Sequence, residues 1–288
     1  MKVSDVKKVC VAGGGLMGRQ IALNAAIHGF DTYLTDAFPA VLDKVAAWAN
    51  EYLDGRVAKG KMDVSAAKAA LKKFHLVPTL EEAAEDSQIV IEAIVEDKEI
   101  KDNFYKQLSR IVAEDTIVVT NSSYMPSSLF KDLLSNPSRL ANMHYFNPAL
   151  AMKLVEVVRG EHTADETVDF VVEFAVANGK KPIRVNKEIE GFVVNRVLRA
   201  IRDESFYLVE EGICTAEDLD TGVEFGLNHP MGPFRLLDLT GIDLNYLASD
   251  RRWKETGIKP RGYDIVKEKY EAHEWGRKTG KGFYSYEK

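Results

Sequence analysis

The chain has 288 residues, of which 45% are hydrophobic, and a formal net charge of -6 at pH 7. This length favours about two domains of about 150 residues each, and the acidic balance argues against a basic surface for nucleic acid. No apolar run approaches the roughly 18 residues of a membrane span, and the first strand starts too early for a signal peptide. With only two cysteines, neither a disulfide framework nor a metal cluster is expected. We therefore expect a cytoplasmic protein.

The first informative pattern is an apolar run, a glycine-rich turn and a helical run. Residues 8–12 have the pattern of a buried strand, and the turn follows at residues 13–18. Gly13 allows a tight turn, Gly15 lets the backbone approach a pyrophosphate, and Gly18 lets the helix pack closely on the strand. The glycine pattern alone is weak, because turns in many proteins contain glycine. Between a strand and a helix it predicts a dinucleotide site.

A carboxylate at the end of the second strand indicates which dinucleotide. The strand-like run at residues 31–36 ends on Asp36, 18 residues after Gly18 (36 minus 18). An acceptor at this spacing suits a ribose 2′-hydroxyl, and it would repel a 2′-phosphate. Asp36 therefore favours NAD over NADP. The alternative is a solvated aspartate at a strand end.

Strand-like and helical patterns then alternate up to residue 185, which is typical of a parallel sheet built from βαβ units. Further strands are predicted at residues 74–77, 88–93, 116–120, 140–144, 152–159 and 181–185. Helices are predicted at residues 38–73, with breaks near Gly55 and Gly60, and at 96–112, 126–134 and 165–178. From residue 191 the pattern is helical, at residues 193–211, 216–226 and 233–247, with a terminal strand at 282–286.

These patterns predict an α/β protein with two domains. The first, residues 1–187, is a Rossmann-type domain with a doubly wound, mostly parallel sheet. The second, residues 188–288, is an all-helical C-terminal domain. The boundary is placed near residues 186–191, although no stretch rich in Pro and Gly marks it.

A histidine and a glutamate provide the second informative pattern. His144 ends a predicted strand, and Glu156 lies 12 residues later (156 minus 144), among Leu and Val. A buried carboxylate needs a partner, and an imidazole is available. A glutamate bonded to one ring nitrogen fixes the tautomer, so that the other nitrogen can take a proton from an alcohol. The alternative for His144 alone is a hydrogen-bonded core histidine.

With these residues in view, the chain resembles the L-3-hydroxyacyl-CoA dehydrogenase family, in particular the bacterial 3-hydroxybutyryl-CoA dehydrogenases. The resemblance covers nearly the whole chain. The motifs that carry it lie at residues 13–18 (GGGLMG), 91–96 (IEAIVE), 121–123 (NSS), 144–148 (HYFNP), 191–196 (GFVVNR), 229–234 (HPMGPF) and 276–284 (GRKTGKGFY).

The resemblance implies an NAD-dependent, reversible oxidation of the 3-hydroxyl of a short-chain (S)-3-hydroxyacyl-CoA. It implies His144 as general base, oriented by Glu156, with Ser123 and Asn195 holding the 3-oxygen and thioester region of the substrate. The implied cofactor contacts are Gly13, Gly15, Leu16, Met17, Gly18, Asp36, Ala93, Glu96, Lys101 and Asn121. The implied contacts to coenzyme A are Arg56, Lys59, Ser123 and Asn147. The helical domain is expected to bind substrate and to form a homodimer.

Several of these residues also have a simpler interpretation. Glu96 and Lys101 could belong to a solvated helix start, Ser123 to a turn, Asn195 to an exposed helix face, and Lys59 to a charged turn. Two other functions also stay open. One is a dehydrogenase for a hydroxy acid without CoA, similar to the gulonate and carnitine dehydrogenases. The other is a non-catalytic nucleotide-binding protein on the same scaffold.

Overall fold

The structure is a computed structural model that describes residues 1–286, and within them eight strands form one sheet. The strands are β1 (Val9–Ala12), β2 (Thr32–Thr35), β3 (Phe74–Leu76), β4 (Ile89–Glu92), β5 (Ile117–Thr120), β6 (Leu140–Tyr145), β7 (Leu154–Val158) and β8 (Lys181–Val185). Their spatial order is β3-β2-β1-β4-β5-β6-β7-β8. Only the β6–β7 pair is antiparallel. The predicted mostly parallel, Rossmann-type sheet is confirmed.

Helices cover both faces of this sheet, which explains why its central strands are mostly apolar. In β1, Val9 and Val11 belong to one buried cluster, and Cys10 between them belongs to another. Burial also raises the pKa of the Cys10 thiol to about 12. Cys10 is therefore a core residue and not a reactive thiol.

Six α-helices accompany the strands in the first part of the chain. They are α1 (Leu16–Ile27), α2 (Pro39–Ala58), α3 (Val64–Lys72), α4 (Leu80–Ala84), α5 (Lys98–Leu108) and α6 (Asp165–Ala177). The predicted helix at 38–73 breaks only once, after α2, where Gly60 has a φ of +62°. Gly55 lies inside α2, so the predicted break there was wrong. The predicted helix at 126–134 was also wrong, since it consists of two 3-10 helices, Ser127–Leu129 and Lys131–Leu133.

The chain divides into two compact units, the first ending at Val193 and the second beginning at Val194. As far as Tyr286, the second unit contains helices and isolated bridges, which confirms the predicted helical domain. Its helices are α7 (Val194–Glu210), α8 (Ala216–Gly226), α9 (Pro233–Thr240), α10 (Ile242–Thr256) and α11 (Tyr263–Glu271). No helix of residues 1–286 has the length and hydropathy needed to cross a membrane.

Two predictions for the second unit were wrong. The helix predicted at 233–247 breaks at Gly241, whose φ of +105° favours glycine. The predicted strand at 282–286 is replaced by isolated bridges, among them Lys281 with Ser285. The tail is held instead by Asp238 of α9, whose carboxylate accepts hydrogen bonds from the backbone N–H groups of Phe283 and Tyr284 and from the Tyr286 hydroxyl, each at 2.9 Å.

Candidate active site

The glycine turn between β1 and α1 is shaped by close contacts on one side and space on the other. Gly13 has a φ of +104°, and a Cβ there would lie 2.5 Å from the Ala93 carbonyl oxygen. A Cβ on Gly18 would collide with the Gly13 carbonyl oxygen. A Cβ on Gly15, in contrast, would meet no atom of the described residues within 4 Å. The turn therefore leaves room at the start of α1, where backbone N–H groups can bind a pyrophosphate.

Asp36 follows β2 directly and lies beside this turn. Its Oδ2 accepts the Gly14 N–H at 2.7 Å, and its Oδ1 accepts the Phe38 N–H at 2.9 Å. Two backbone donors thus fix the carboxylate, which still has free lone pairs for ribose hydroxyls. The surroundings fit the adenosine half of NAD, since the negative charge disfavours a 2′-phosphate.

Three other predicted cofactor contacts lie at or near the carboxyl ends of the central strands. Leu16, in the first turn of α1, is 53% exposed. The Ala93 N–H donates to the Ala12 carbonyl at 2.8 Å, which places Ala93 next to the glycine turn. Asn121 directly follows β5, and its Oδ1 accepts the Tyr145 N–H at 2.9 Å. In parallel α/β sheets, ligands bind outside the carboxyl ends of the strands, where these residues lie.

His144 and Glu156 face each other across the antiparallel pair β6–β7, whose register places the two residues directly opposite. His144 Nδ1 lies 2.9 Å from Glu156 Oε2, and both side chains are buried. The other carboxylate oxygen, Oε1, accepts the Val193 N–H at 3.0 Å. On the opposite edge of the ring, His144 Nε2 lies 2.8 Å from the Ser123 hydroxyl.

This arrangement can perform proton transfer. Glu156 binds Nδ1, which keeps the Nδ1 proton in place and stabilises the imidazolium when Nε2 gains a proton. Nε2 points toward the Ser123 hydroxyl, so a substrate hydroxyl beside Ser123 is within reach of a base. The rings of Phe146 and Phe192 lie 4.7 and 5.5 Å from the imidazole, centroid to centroid, and both pack edge-on against it.

A buried ion-pair cluster lies at the ends of β4 and β5, and its central residue is one that sequence analysis did not single out. Glu92, the last residue of β4, is fully buried, and its Oε1 accepts from Lys101 Nζ at 2.6 Å. Its Oε2 accepts from the hydroxyls of Thr120, at 2.7 Å, and Tyr105, at 3.2 Å. Burial, with the nearby charge of Glu92, raises the pKa of Tyr105 well above its usual value. The sequence signal that could have identified Glu92 is its position, as a glutamate at the end of an apolar strand.

Glu96 connects this cluster to the serine that precedes Ser123. Lys101 Nζ lies 3.2 Å from Glu96 Oε2, and Glu96 Oε1 accepts a hydrogen bond from the Ser122 hydroxyl. Lys101 is only 1% exposed, so it does not belong to a solvated helix start. The three charged side chains Glu92, Glu96 and Lys101 thus join the loop after β4 to the loop after β5.

The predicted coenzyme A contacts lie on other elements. Asn147 is exposed in the loop between β6 and β7. Lys180 holds this loop, because its Nζ donates to the carbonyls of Ala149 and Met152, at 2.5 and 3.1 Å. Arg56 is in the last turn of α2, and Lys59 is exposed just after that helix. Asn195, which was predicted to hold the 3-oxygen and thioester region and not coenzyme A, is the second residue of α7, in the second unit.

Comparison with known proteins gives a consistent result. Residues 8–189 match the family described as "3-hydroxyacyl-CoA dehydrogenase, NAD binding domain", and residues 191–286 match its "C-terminal domain". The chain is 36% identical over 284 residues to a probable 3-hydroxybutyryl-CoA dehydrogenase of Bacillus subtilis (strain 168), with 98% of each chain covered.

Two solved structures are similar over nearly the whole chain. The (S)-3-hydroxybutyryl-CoA dehydrogenase of Ralstonia eutropha has a TM-score of 0.88 and 33% identity, covering 99% of this chain and 100% of that one. A diketoreductase, described as acting on dicarbonyl compounds, has a TM-score of 0.89 and 29% identity, covering 98% and 99%. The chain belongs to the 3-hydroxyacyl-CoA dehydrogenase family, and its first domain is an NAD-binding domain of that family.

Proposed function

We propose that this protein oxidises the 3-hydroxyl of a short-chain (S)-3-hydroxyacyl-CoA to the 3-ketoacyl-CoA, reversibly and with NAD. The observation that carries the proposal is the buried His144–Glu156 pair, with the second ring nitrogen of His144 directed at the Ser123 hydroxyl. A base held in this way suits the removal of a proton from an alcohol. 3-Hydroxybutyryl-CoA is the reference substrate.

In the proposed oxidation, His144 Nε2 takes the proton of the 3-hydroxyl, and in the reverse direction it returns that proton. Glu156 remains ionised and stabilises the imidazolium through Nδ1. The Ser123 hydroxyl and Asn195 orient the 3-oxygen and the thioester. Bound NAD supplies the hydride acceptor. Glu96 and Asn121 line the end of its site that is nearest to Ser122 and Ser123, and the buried Lys101 holds Glu96 in place through their ion pair.

For the coenzyme A half of the substrate, we assign Arg56, Lys59 and Asn147 as contacts. The phosphates of coenzyme A need cations near the site even though the chain as a whole is acidic. Arg56 and Lys59 provide two such charges within four residues of each other. Tyr124, 48% exposed, and Met125 follow Ser123 and are the side chains expected to influence the choice of acyl chain.

We further propose that residues 1–187 form the NAD-binding domain, that residues 188–288 bind substrate and form a homodimer, and that the protein is cytoplasmic. Large apolar side chains of the second unit support the dimer, because Phe225 is 85% exposed, Ile258 67% and Leu227 66%. Phe225 and Leu227 both lie at the C-terminal end of α8, and clustered exposed apolar side chains are typical of surfaces that bind another protein.

A second candidate is a dehydrogenase of dicarbonyl or hydroxy acid compounds without CoA. The similarity to the diketoreductase structure favours it. The two candidates share the proton transfer at His144 and differ in whether the CoA handle is required.

The experiment for the proposed function is NADH formation from (S)-3-hydroxybutyryl-CoA and NAD, run beside the (R) enantiomer. We expect turnover with the (S) form only, because a base fixed at His144 and a cofactor held at the glycine turn would each approach the reacting carbon from one side. Equal rates with both enantiomers, or none with either, would contradict the proposal.

A further inference from the structure

A short segment, residues 186–193, follows β8 and ends against the His144–Glu156 pair. The Val193 N–H donates to Glu156 Oε1 at 3.0 Å. The Phe192 side chain, 2% exposed, lies with its ring 5.5 Å from the His144 ring, centroid to centroid. Its backbone has a φ of +47°, a left-handed conformation that is unusual for a bulky residue. The end of the segment is therefore part of the surroundings of the base.

The start of the same segment is attached to the loop that carries Ser123. Glu188 Oε1 accepts the Ser127 hydroxyl at 2.6 Å and the Ser128 backbone N–H at 3.0 Å. Ser127 has no exposed surface. A hydrogen bond to an ionised carboxylate is stronger than one between neutral groups, so Glu188 is a firm attachment point.

Ser127 belongs to the loop of residues 121–128, which we call the serine loop, and further hydrogen bonds join this loop to β6. The Ser127 N–H donates to Asn142 Oδ1 at 2.8 Å, and Asn142 Nδ2 donates to the Ser122 carbonyl at 3.3 Å. Asn142 is fully buried in β6, two residues before His144. The serine loop is thus held from inside by Asn142 and from outside by Glu188.

We propose that Glu188 is a positioning residue, which sets the distance between the Ser123 hydroxyl and His144 by fixing the far end of the serine loop to the segment that supports Glu156. The inference rests on the proposed function, in which Ser123 and His144 act on the same substrate oxygen. Glu188 touches neither substrate nor base. It acts through Ser127 and Ser128.

The role of Glu188 requires an acceptor oxygen, because the Ser127 hydroxyl and the Ser128 N–H both donate to its Oε1. His162 Nε2 lies 3.4 Å from the Ser127 hydroxyl, at the limit of a hydrogen bond, and burial lowers the pKa of His162. The Ser127 hydroxyl lies closer to Glu188 Oε1, at 2.6 Å, and donates to the carboxylate rather than to this imidazole. Small displacements of catalytic groups have large kinetic effects, about 100-fold for about 1 Å, so this attachment can matter for rate.

The test compares Glu188→Ala and Glu188→Gln with Glu161→Gln, a control that removes the same charge from an exposed residue nearby. Acetoacetyl-CoA reduction gives kcat and KM, and the ¹⁵N signal of the His144 ring reports the contact with Ser123. For Glu188→Ala we expect kcat to fall about tenfold, NAD affinity to change less than about twofold, and the ring signal to move. Glu188→Gln, which keeps an acceptor oxygen, should restore most of the rate.

An unchanged kcat and an unmoved ring signal in Glu188→Ala would overturn the proposal. So would a loss of rate that only follows the unfolded fraction, since that result would mean a purely structural role. If Glu188→Ala does not fold, Ser127→Ala decides, with an expected loss of about threefold or more. If the wild-type protein does not reduce acetoacetyl-CoA, the proposed function fails, and the ring signal still tests the position of His144.

Discussion

Glu156 is a fully buried carboxylate whose two oxygens have different partners. Oε2 faces His144 and Oε1 accepts the Val193 N–H, so the imidazole and this backbone N–H both help to hold the charge. A carboxylate without such partners would be strongly destabilising in this position. Its orientation therefore depends on the strand pair and on the segment before α7 together.

Replacing His144 with Ala tests its role as the base. We expect kcat to fall by about 10²–10⁴-fold, because general acid–base catalysis by a positioned side chain contributes about that much. The affinity for NAD, measured by fluorescence titration, should stay close to that of the wild type. His273→Ala, at an exposed histidine, is the control. Turnover retained in His144→Ala would remove this residue from the mechanism.

Replacing Asp36 with Ala tests the choice of cofactor. The carboxylate is fixed by the Gly14 and Phe38 N–H groups and should accept ribose hydroxyls. We expect the variant to lose affinity for NAD far more than for NADP. It loses the hydrogen bond to the 2′-hydroxyl of NAD, but it also loses the repulsion of the 2′-phosphate of NADP. Paired cofactor titrations measure both, with Asp43→Ala in α2 as control. An equal loss for the two cofactors would be inconsistent with a contact to the 2′-hydroxyl.

At the scale of elements, the site is built where the central strands end and the loops after them are fastened to one another. Lys180, just before β8, is an example, since it binds two carbonyls of the loop after β6 and is only 6% exposed. Burial, with a smaller contribution from Lys153, lowers the pKa of Lys180 to about 8. The unfolded chain should keep the ordinary lysine value of 10.5.

This difference predicts a pH-dependent stability. Between about pH 8 and about pH 10.5 the unfolded state binds more protons at this site, so the free energy of unfolding contributed by Lys180 rises with pH. Relative to Lys180→Met, the wild-type protein should gain on the order of 1 kcal/mol between pH 8 and pH 9.5. Urea unfolding of both proteins at the two pH values measures it. A constant difference between them would contradict the lowered pKa.

The elements also show what local sequence can and cannot predict. The glycine turn and the apolar strands were predictable because their spacing reflects contacts within one βαβ unit. The 3-10 helices near Ser127 were not, because Ser127 is buried against Asn142 and Glu188, which are distant in sequence. The break at Gly241 was missed because helical periodicity in the sequence continues across this glycine. Helix α11 was missed because helical periodicity is weak in its charged segment, residues 263–271.

The same distinction applies to the candidate site. His144 and Glu156 could be paired from the sequence because they lie on neighbouring strands with a short connection. Glu92 could not be assigned, because an apolar run does not show whether the carboxylate at its end has a counter-charge. Its partners come from two other elements, namely Lys101, Tyr105 and Thr120. Phe192 was missed because its contact with His144 depends on the path of the segment after β8.

At the scale of the whole molecule, the proposed reaction must conserve protons as well as electrons. Oxidation of the hydroxyl by NAD releases one proton, which leaves through His144. At a fixed ratio of NAD to NADH, the ratio of ketone to alcohol at equilibrium should therefore rise about tenfold for each pH unit, as expected when one proton is released. Measuring that ratio at pH 7 and pH 8 tests the stoichiometry, which a ratio independent of pH would refute.

The proposed enzyme combines an NAD site, a histidine base and a requirement for a thioester of coenzyme A in one chain. The most direct test is the initial rate of NADH consumption with acetoacetyl-CoA, measured beside free acetoacetate at the same concentration. We predict turnover with the thioester and none with the free acid. Equal turnover with both would contradict the requirement for CoA, and turnover with neither would contradict the proposed function itself.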